Sequence, residues 1–461
     1  MLNHNVNQIT VWDQSLIQKY NYSGPRYTSY PTALEFNESF SHEDFLHAVT
    51  QYPDKPLSLY VHIPFCHQIC YFCGCNKMIT RQSHKVTHYL NHLTQEIIHQ
   101  APLFKNRNVT QLHWGGGTPT FLNHNEMSQL MSVLKSNFNF DSDAEISIEI
   151  DPRGIDIDTI DHLCAIGFNR ISMGIQDFNS EIQHLINRQQ DETLITNLIK
   201  QARKNNVRSI SLDLIYGLPK QNSETFKQTL DKVIELAPDR LSVFNYAHLP
   251  SRFAAQRKIK EEDLPSAQQK LNILHTSVET LTKAGYIFIG MDHFAKPNDD
   301  LAIAQRAGKL HRNFQGYTTG GDTDLLGLGV SSISIIGDSY AQNQKELNIY
   351  QNQITDVKNA LWKGFAMSTD DKIRRDIIKQ LICHFYLDKS IIENTYQIDF
   401  NSYFAEDLAL LMPLQKDGLV EITEDTIIVS AKGRILIRNI CMCFDIYMRK
   451  LARQQQFSRL I

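Results

Sequence analysis

The stretch SLYVHIPFCHQICYFCGC, residues 58–75, joins a short β-rich segment directly to four closely spaced cysteines. Its first six residues predict a buried strand, because apolar, aromatic and β-branched side chains favour the extended backbone. The cysteines that follow are Cys66, Cys70, Cys73 and Cys75, separated by three, two and one residues. Clustered cysteines in a chain without a secretory signal indicate metal or redox chemistry rather than a disulfide framework.

Short β-rich runs alternate with amphipathic helical patterns from about residue 57 to residue 337. The predicted strands are SLYVHI (58–63), TQLHWG (110–115), EISIEI (145–150), RISMGI (170–175), SISLDLIYG (209–217), RLSVFNY (240–246) and IFIGMDH (287–293). This alternation predicts a parallel sheet with right-handed crossovers. Polar residues at predicted strand ends favour a curved, partly closed TIM-like (βα) barrel over an open doubly wound sheet, because barrels carry their chemistry there. These residues are Glu149, Gln176, Asp213 and Asp292.

The sequence pattern changes on both sides of this region. Residues 1–56 are rich in turn formers and tyrosine, and we expect them to form an N-terminal arm over the barrel. We expect residues 57–354 to form the barrel domain. Residues 355–461 consist of helical patterns and one predicted hairpin, GLVEITEDTIIVSAKG (418–433), which indicates a mainly helical, winged-helix-like C-terminal domain. The predicted fold class is therefore α/β.

The charge and hydropathy of the chain exclude several classes of function. Of its 461 residues 42% are hydrophobic and 21% charged, and the formal net charge is −4. Without an overall basic field, neither nucleic acid nor an anionic membrane is an expected partner. No apolar run approaches the roughly 20 residues that span a bilayer, and the N-terminus has no basic-then-apolar signal pattern. We expect a cytoplasmic protein, and since nothing demands a second subunit, a monomer.

The cysteine loop admits two metal sites. Three cysteines on a short loop can bind three irons of a four-iron cubane and leave the fourth iron open to another ligand. Zinc is the chemical rival, and structural zinc takes four closed ligands, often as two pairs separated by a longer stretch. Because all four cysteines lie on one loop, the spacing favours the cluster without excluding zinc.

At this point the sequence resembles a known family. A Cys-x3-Cys-x2-Cys loop after the first strand of a βα barrel resembles that of radical S-adenosylmethionine enzymes, and the wider motifs resemble the oxygen-independent coproporphyrinogen III oxidases within them. The matching segments are PRYTSYPT (25–32), YVHIPFCHQICYFCGCNK (60–77), HWGGGTPT (113–120), SIEIDPR (147–153), SMGIQDFN (172–179), DLIYGLPKQ (213–221), GMDHFA (290–295), HRNFQGYTT (311–319) and IRNICMCFD (437–445). The resemblance covers nearly the whole chain.

The resemblance implies the cofactors and their contacts. It implies a [4Fe-4S] cluster on Cys66, Cys70 and Cys73, whose fourth iron binds S-adenosylmethionine. The contacts implied for this first S-adenosylmethionine are Tyr60, Gly116, Gly117, Thr118, Glu149 and Ile333. The contacts implied for a second molecule beside it are Phe72, Gln176, Arg188, Asp213 and Ala247. Without the resemblance, Ile333 and Ala247 would be interpreted as core residues and Arg188 as a solvated charge.

Cys75 is not needed by a three-cysteine cluster. It could be a fourth ligand, a redox or hydrogen-atom donor, or a buried thiol, and the resemblance implies a catalytic or near-catalytic role. The substrate implied is coproporphyrinogen III, which carries four propionates. Arginine suits carboxylates because its planar fork binds bidentately, so Arg26, His311 and Arg312 are candidate substrate contacts.

The activity implied is the oxidative decarboxylation of two propionates to vinyl groups by a 5′-deoxyadenosyl radical, which yields protoporphyrinogen IX for haem synthesis. A small electron donor such as a flavodoxin is the implied partner. The alternatives are a related haem chaperone and a radical methyltransferase acting on haem. A nucleic-acid-binding role of the C-terminal helices is a further alternative, resting on Arg434, Arg438, Arg449 and Arg453.

Overall fold

The computed structural model describes residues 10–321 and 323–449. Contacts divide the described chain into two units, each built from separate stretches of sequence. The sheet unit comprises residues 36–266 and 323–366, and the helical unit comprises the described residues up to 35, then 267–321 and 367–449. This partition differs from the division at residues 56 and 354, which stays a prediction.

The strands alternate with helices along most of the chain. The strands are β1 (Leu57–Ile63), β2 (Phe65–Cys66), β3 (Met78–Ile79), β4 (Asn108–Gly116), β5 (Asn139–Ile150), β6 (Arg170–Gln176), β7 (Ser209–Tyr216), β8 (Arg240–Asn245), β9 (Ile287–Gly290), β10 (His293–Ala295), β11 (His311–Asn313), β12 (Gly316–Thr318), β13 (Asp324–Leu328), β14 (Ile333–Ile336), β15 (Ser339–Asn343), β16 (Leu361–Ala366), β17 (Tyr386–Asp388), β18 (Val420–Ile422) and β19 (Thr426–Val429). The α-helices are α1 (Gln14–Lys19), α2 (His42–Gln51), α3 (Ser83–Gln100), α4 (His124–Asn137), α5 (Ile157–Ile166), α6 (Ser180–Leu185), α7 (Glu192–Lys204), α8 (Ser223–Leu236), α9 (Ala267–Lys283), α10 (Asp300–Arg306), α11 (Leu347–Val357), α12 (Thr369–His384), α13 (Lys389–Tyr396), α14 (Phe400–Tyr403), α15 (Ala405–Lys416) and α16 (Ile437–Met442). Short 3-10 helices lie at Ala101–Phe104, Pro119–Phe121, Ala254–Lys258 and Glu261–Asp263.

The sheet unit is built on one large sheet. Its strands lie in the order β16-β15-β14-β13-β1-β4-β5-β6-β7-β8. The seven strands from β13 to β8 in this order pair in parallel, and β14, β15 and β16 continue the sheet in antiparallel pairing. Helices α3, α4, α5, α7 and α8 connect successive parallel strands, as parallel pairing requires. The predicted α/β fold with a central parallel sheet is confirmed, as is the mainly helical C-terminal region.

Helix α7 shows how the sequence specifies these crossovers. Its buried residues are Ile195, Leu198, Ile199 and Ala202, which recur every three or four positions and so form one face. The Asp191 side chain caps the first turn by accepting from the amides of residues 193 and 194. Burying each large apolar side chain contributes about 1.5–3 kcal/mol, and the cap about 1 kcal/mol.

The segment IFIGMDH differs from its prediction as a single barrel strand. It lies in the helical unit and forms a hairpin, in which β9 and β10 pair in antiparallel fashion. Gly290 and Met291 have φ values of +146° and +54°, and this backbone reverses the chain. Asp292 is therefore a turn residue and not a barrel strand end, and it forms an ion pair with Arg26 at 2.9 Å.

In the helical unit, the N-terminal segment packs on the C-terminal part of the chain. Tyr27 donates to Asp445 at 3.0 Å, Arg438 donates through Nε to the carbonyl of Pro25 at 2.9 Å, and Asn439 donates to the carbonyl of Tyr20 at 2.9 Å. The predicted hairpin at 418–433 is present as β18 and β19, and β17 joins it. Within the described residues, no helix is both long and apolar enough to cross a membrane.

Candidate active site

One face of the parallel sheet carries a row of polar side chains across neighbouring strands. The row consists of Tyr60 in β1, His113 in β4, Glu149 in β5, Ser172 in β6 and Asp213 in β7. Each of them is at least partly accessible, whereas the residues immediately before and after it are buried. This is the two-residue period of a strand with one face in the core and one face on a cavity or solvent. The structure thus brings together three sequence-predicted site residues and two that were not predicted.

Glu149 is a carboxylate held in its ionised form. His113 lies 3.3 Å from its Oε1, and the amide of Gly116 donates to its Oε2 at 3.2 Å. Desolvation by itself would raise the pKa of Glu149, but these donors outweigh it and lower the pKa below its ordinary value. About half of the side-chain surface, 48%, is accessible, so the carboxylate can still accept hydrogen bonds from a ligand.

Asp213 shows the opposite behaviour on the same face. Burial, followed by the nearby charge of Glu149, raises the pKa of Asp213 to about 6. Ser172 donates to its Oδ2 at 3.1 Å. Two carboxylates whose pKa values are shifted apart on one sheet face are typical of a functional site.

The cysteine loop is fixed at several points. The amide of Thr80 donates to the carbonyl of Cys66 at 3.2 Å, and the amide of Tyr71 donates to the carbonyl of Ile186 at 3.0 Å. The side chain of Asn187 donates to the carbonyl of Ile69 at 2.7 Å. The four thiols differ in exposure: Cys66 and Cys70 are buried, Cys73 is half-buried and Cys75 is exposed. The loop therefore presents two buried residues, one half-buried residue and one exposed residue as thiol carriers.

Two arginines contact the sulfur of Cys70. Arg153 donates through Nη2 at 3.2 Å and Arg188 through Nη1 at 3.3 Å. Both guanidinium groups also pair with Oδ2 of Asp151, at 2.7 Å and 3.1 Å. Burial alone would raise the pKa of Asp151, but Arg188 and then Arg153 lower it to about 2. Arg188 is 6% exposed, so the interpretation of this residue as a solvated charge is wrong.

The glycine turn after β4 packs directly against the first strand and the cysteine loop. Gly116 has φ = +116°, and a Cβ atom there would lie 2.6 Å from Cε1 of His62. A Cβ on Gly117 would lie 2.8 Å from the carbonyl oxygen of Phe65. Thr118 places its hydroxyl 3.4 Å from the sulfur of Cys66. Close backbone approach therefore accounts for the glycines, and flexibility is not needed to explain them.

The second predicted set is spread over several segments: Phe72 lies in the cysteine loop, Gln176 ends β6, Arg188 follows α6, Asp213 lies in β7 and Ala247 follows β8. Gln176 is buried with φ = +69°, next to the guanidinium of Arg188, which donates through Nε to the carbonyl of Gly174 at 3.1 Å. The carbonyls of Phe72 and Ala247 are joined because Nε2 of Gln256 donates to both, at 3.0 Å and 3.2 Å. The structure thus links one member of the cysteine loop to the segment after β8.

The last two predicted contacts of the first S-adenosylmethionine, Tyr60 and Ile333, lie in β1 and β14. The hydroxyl of Tyr60 lies 3.0 Å from Nδ1 of His62, whose Nε2 lies 3.0 Å from the carbonyl oxygen of Asn76. Ile333 begins β14 and is half-buried, which leaves part of its side chain available for contact.

A cavity of about 220 Å³ adjoins the cysteine loop, and its lining includes Cys66, Thr118, Asp151, Arg153 and Asn187. Among residues 10–321 and 323–449, no three histidine, cysteine or acidic side chains are arranged to share a single metal ion. The chemistry of the loop fits a cluster, because three of its cysteines are buried or half-buried and one of these, Cys70, has two cationic donors. Thiolate ligands accept such donors, and nearby positive charge offsets the charge of the cluster.

The three candidate substrate contacts lie in the helical unit. Arg26 is paired with Asp292, and Arg312 donates through Nε to the carbonyl of Arg26 at 3.3 Å. The Arg312 guanidinium also lies 4.6 Å from the ring centroid of Tyr317. His311 begins β11. Of the arginines considered for nucleic acid, Arg434 and Arg438 are buried, Arg449 pairs with Glu406 and Asp407, and Arg453 lies outside the described residues.

Sequence reasoning missed five residues that the structure joins to this site: His113, Asp151, Arg153, Ser172 and Gln256. Four of them were visible in principle, since they lie inside the quoted segments HWGGGTPT, SIEIDPR and SMGIQDFN. Gln256 had no such signal, because it lies in a segment of no regular pattern after β8.

Comparisons with known proteins find relatives over nearly the whole chain. A model of the radical SAM superfamily matches residues 60–233, and a model of the HemN C-terminal domain matches residues 367–436. The oxygen-independent coproporphyrinogen III oxidase of Escherichia coli is 66% identical over 450 residues, which cover 98% of each chain. The protein of the same name from Pseudomonas aeruginosa is 50% identical over 455 residues, covering 98% of this chain and 99% of its own.

A solved structure extends the likeness to three dimensions. The coproporphyrinogen III oxidase of Escherichia coli, described as a radical SAM enzyme, superposes with a TM-score of 0.92 at 63% identity and covers 95% of this chain and 99% of its own. Because identity of this degree runs through the barrel, the cysteine loop and the helical region alike, the chain belongs to the oxygen-independent coproporphyrinogen III oxidase family.

Proposed function

We propose that the chain oxidatively decarboxylates two propionates of coproporphyrinogen III without oxygen and so forms protoporphyrinogen IX. The observation that carries the proposal is the contact of Arg153 and Arg188 with the sulfur of Cys70. A thiol that is merely buried needs no cationic partners, whereas a thiolate that binds a cluster is stabilised by them. This contact lies on the cysteine loop that gives the family its chemistry.

In this proposal Cys66, Cys70 and Cys73 bind a [4Fe-4S] cluster. When bound, such a cluster would supply the reducing electron for radical chemistry on S-adenosylmethionine, which would remove a hydrogen atom from the β-carbon of a propionate. Loss of carbon dioxide from that side chain, and of one electron to an external acceptor, would leave a vinyl group. The protein contributes binding, orientation and shielding from water.

The first S-adenosylmethionine is assigned to the glycine turn and the polar row. Glu149 is ionised and half accessible, so it can accept hydrogen bonds from the ribose hydroxyls. Gly116 and Gly117 bring the backbone close to the methionine end, with Thr118 beside Cys66. Tyr60 and Ile333 complete this set from β1 and β14.

A second S-adenosylmethionine is assigned to Phe72, Gln176, Arg188, Asp213 and Ala247. Asp213 supports this assignment, since a carboxylate with a raised pKa is stabilised in its charged form by a cationic sulfonium or ammonium. Gln256 holds the carbonyls of Phe72 and Ala247 at a fixed separation. Arg188 therefore serves both the Cys70 contact and this site.

Cys75 is assigned a catalytic or near-catalytic role. It is exposed, unlike the three other cysteines of the loop, and an exposed thiol beside the site can meet the substrate.

We assign Arg26, His311 and Arg312 as candidate carboxylate contacts. We also propose that the electron donor is a small protein of the flavodoxin type. The protein is proposed to be a cytoplasmic monomer that does not bind nucleic acid.

The test is anaerobic turnover of the reconstituted full-length protein with reductant, S-adenosylmethionine and coproporphyrinogen III. The expected product carries two new vinyl groups. Absence of a vinyl product would overturn the proposal. Haem transfer without vinyl formation would assign the chain to the chaperones, and a methylated, ring-opened product would assign it to the methyltransferases.

A further inference from the structure

Three cations lie at the Cys75 end of the cysteine loop, and the assignments above give them no role. They are Arg252, Lys345 and Lys363, referred to below as the cationic rim. The ammonium groups of Lys345 and Lys363 lie 5.0 Å and 4.8 Å from the ring centroid of the same tryptophan, Trp362. Two cations on one indole ring gain from its π-system but repel each other.

The charges of the rim are not neutralised. In the part of the chain that the structure describes, none of the three cations forms an ion pair with a carboxylate. Glu38 is the one acidic group that acts on Lys363, and its carboxylate already accepts from Nε1 of Trp362 at 2.9 Å. Burial, and then the charge of Arg252, lowers the pKa of Lys345. Burial, and then Lys345, likewise lowers that of Lys363. An anion at the rim would relieve this repulsion.

The rim is joined to the cysteine loop through its neighbours. The side chain of Asn76, the residue after Cys75, donates to the carbonyl of Lys345 at 3.1 Å. Phe253, the residue after Arg252, lies so close to Gly74 that a Cβ there would be 3.1 Å from its ring. Lys345 and Arg252 are therefore both held close to Cys75, one through Asn76 and the other through Phe253.

The fold explains why these residues meet. Arg252 follows β8, at one end of the strand order of the sheet unit, and Lys345 follows β15, near the other end. Both segments nevertheless reach the same end of the cysteine loop, Arg252 through Phe253 at Gly74 and Lys345 through Asn76, so the sheet curves enough to bring them together. The rim thus lies beside the cysteine loop.

We propose that the cationic rim binds a propionate carboxylate of the porphyrinogen substrate, which positions another propionate for reaction. The inference rests on the proposed function. A substrate with four propionates, of which two do not react, offers carboxylates that can remain bound throughout. Two lysines on one indole ring, with the charge of Arg252 acting on one of them, suit a small polyanion. A protein partner would instead spread its contacts over about 800 Å² on each side.

The experiment measures binding of coproporphyrin III, the oxidised and unreactive tetracarboxylate, to the reconstituted full-length protein. Its tetramethyl ester, which lacks the charges, is the matched ligand. We expect Lys345→Met and Lys363→Met each to weaken binding of the acid about threefold and the double variant about tenfold, since exposed ion pairs are individually weak. The double arginine variant, Lys345→Arg with Lys363→Arg, should keep the affinity. Lys200→Met on α7 is the control and should change nothing.

Several outcomes would overturn the inference. Unchanged binding in the double methionine variant would do so, as would an equal loss for the acid and the ester. A loss of turnover seen only with a protein reductant, and not with dithionite, would make the rim a docking site for the electron donor instead. The proposed function is tested separately, because it fails only if the wild type forms no vinyl product.

Discussion

The guanidinium of Arg188 donates through Nη1 to the sulfur of Cys70 at 3.3 Å and to Oδ2 of Asp151 at 3.1 Å. This relationship connects the loop after β1 to the segment that follows α6. A single buried cation thereby stabilises both a candidate cluster ligand and a half-buried carboxylate, so its removal affects the fold and the site together.

We expect Arg188→Met to lower the free energy of unfolding by about 1–3 kcal/mol, since Asp151 loses one charged donor and keeps Arg153. The reconstituted variant should also contain less iron and sulfide. Arg188→Lys keeps the positive charge but lacks the planar guanidinium that donates to two acceptors at once. Its stability and iron content should lie between those of Arg188→Met and the wild type. Equal iron content and stability in all three proteins would contradict this role of Arg188.

We expect Gly116→Ala to abolish cluster loading or S-adenosylmethionine binding. The added Cβ would meet the ring of His62 at 2.6 Å, and φ = +116° is unfavourable for alanine. Gly285→Ala is the matched control, since φ is +89° there but nothing lies within 4 Å of the new atom. The control should cost only backbone strain, on the order of 1 kcal/mol, and keep its iron. Iron analysis and thermal unfolding measure the difference.

Asp213 should make stability depend on pH in a defined direction. Its pKa of about 6 in the folded protein exceeds the ordinary value of 3.8, so the folded state binds the proton more tightly than the unfolded state. The contribution of Asp213 therefore becomes more favourable as the pH falls through 6 and is complete below about 3.8. We expect the wild type to gain stability relative to Asp213→Asn over this range.

The control for this titration is Asp161→Asn on α5. Hydrogen bonds from Gln201 and Asn205 lower the pKa of Asp161, so its contribution is lost as the pH falls, the opposite sign. Urea unfolding without S-adenosylmethionine measures the Asp213 difference between pH 7 and 4, and the Asp161 difference only below pH 3.8. A pH-independent difference between the wild type and Asp213→Asn would contradict the raised pKa.

Cys75 and Cys70 should separate catalysis from cluster binding. We expect Cys70→Ser to lose most of its iron and all turnover, because a shielded ligand is removed. Cys75→Ser should keep the iron content and the electron paramagnetic resonance signal of the reduced cluster, and lose vinyl formation. Loss of the cluster in Cys75→Ser would indicate that Cys75 is a cluster ligand. Full turnover of this variant would indicate that Cys75 has no role in catalysis.

The sequence was sufficient to predict what depends on local pattern. The alternation of β-rich and amphipathic segments predicted the parallel sheet. Of the polar residues expected at strand ends, Glu149 and Asp213 share one face of that sheet, although Asp213 lies in the middle of β7. The hairpin at 287–295 was missed because its reversal depends on backbone angles at Gly290 and Met291 that hydropathy does not encode.

The sequence pattern could not predict which side chains from distant segments come into contact. The contacts of Arg153 and Arg188 with Cys70 join three segments that are far apart in sequence. Gln256 and the cationic rim depend in the same way on the curvature of the sheet. Such contacts follow from tertiary packing. In the sequence, each of these residues is of a type that is common on protein surfaces, so nothing marks it as part of a site.

The most direct test of the central claim is the stoichiometry of anaerobic turnover. Carbon dioxide, 5′-deoxyadenosine and new vinyl groups are counted in one reaction with coproporphyrinogen III. Radical decarboxylation predicts one carbon dioxide and at least one 5′-deoxyadenosine for each vinyl group, two vinyl groups per product, and none of these products from Cys70→Ser. Vinyl formation without 5′-deoxyadenosine, or 5′-deoxyadenosine without carbon dioxide and vinyl groups, would contradict the account.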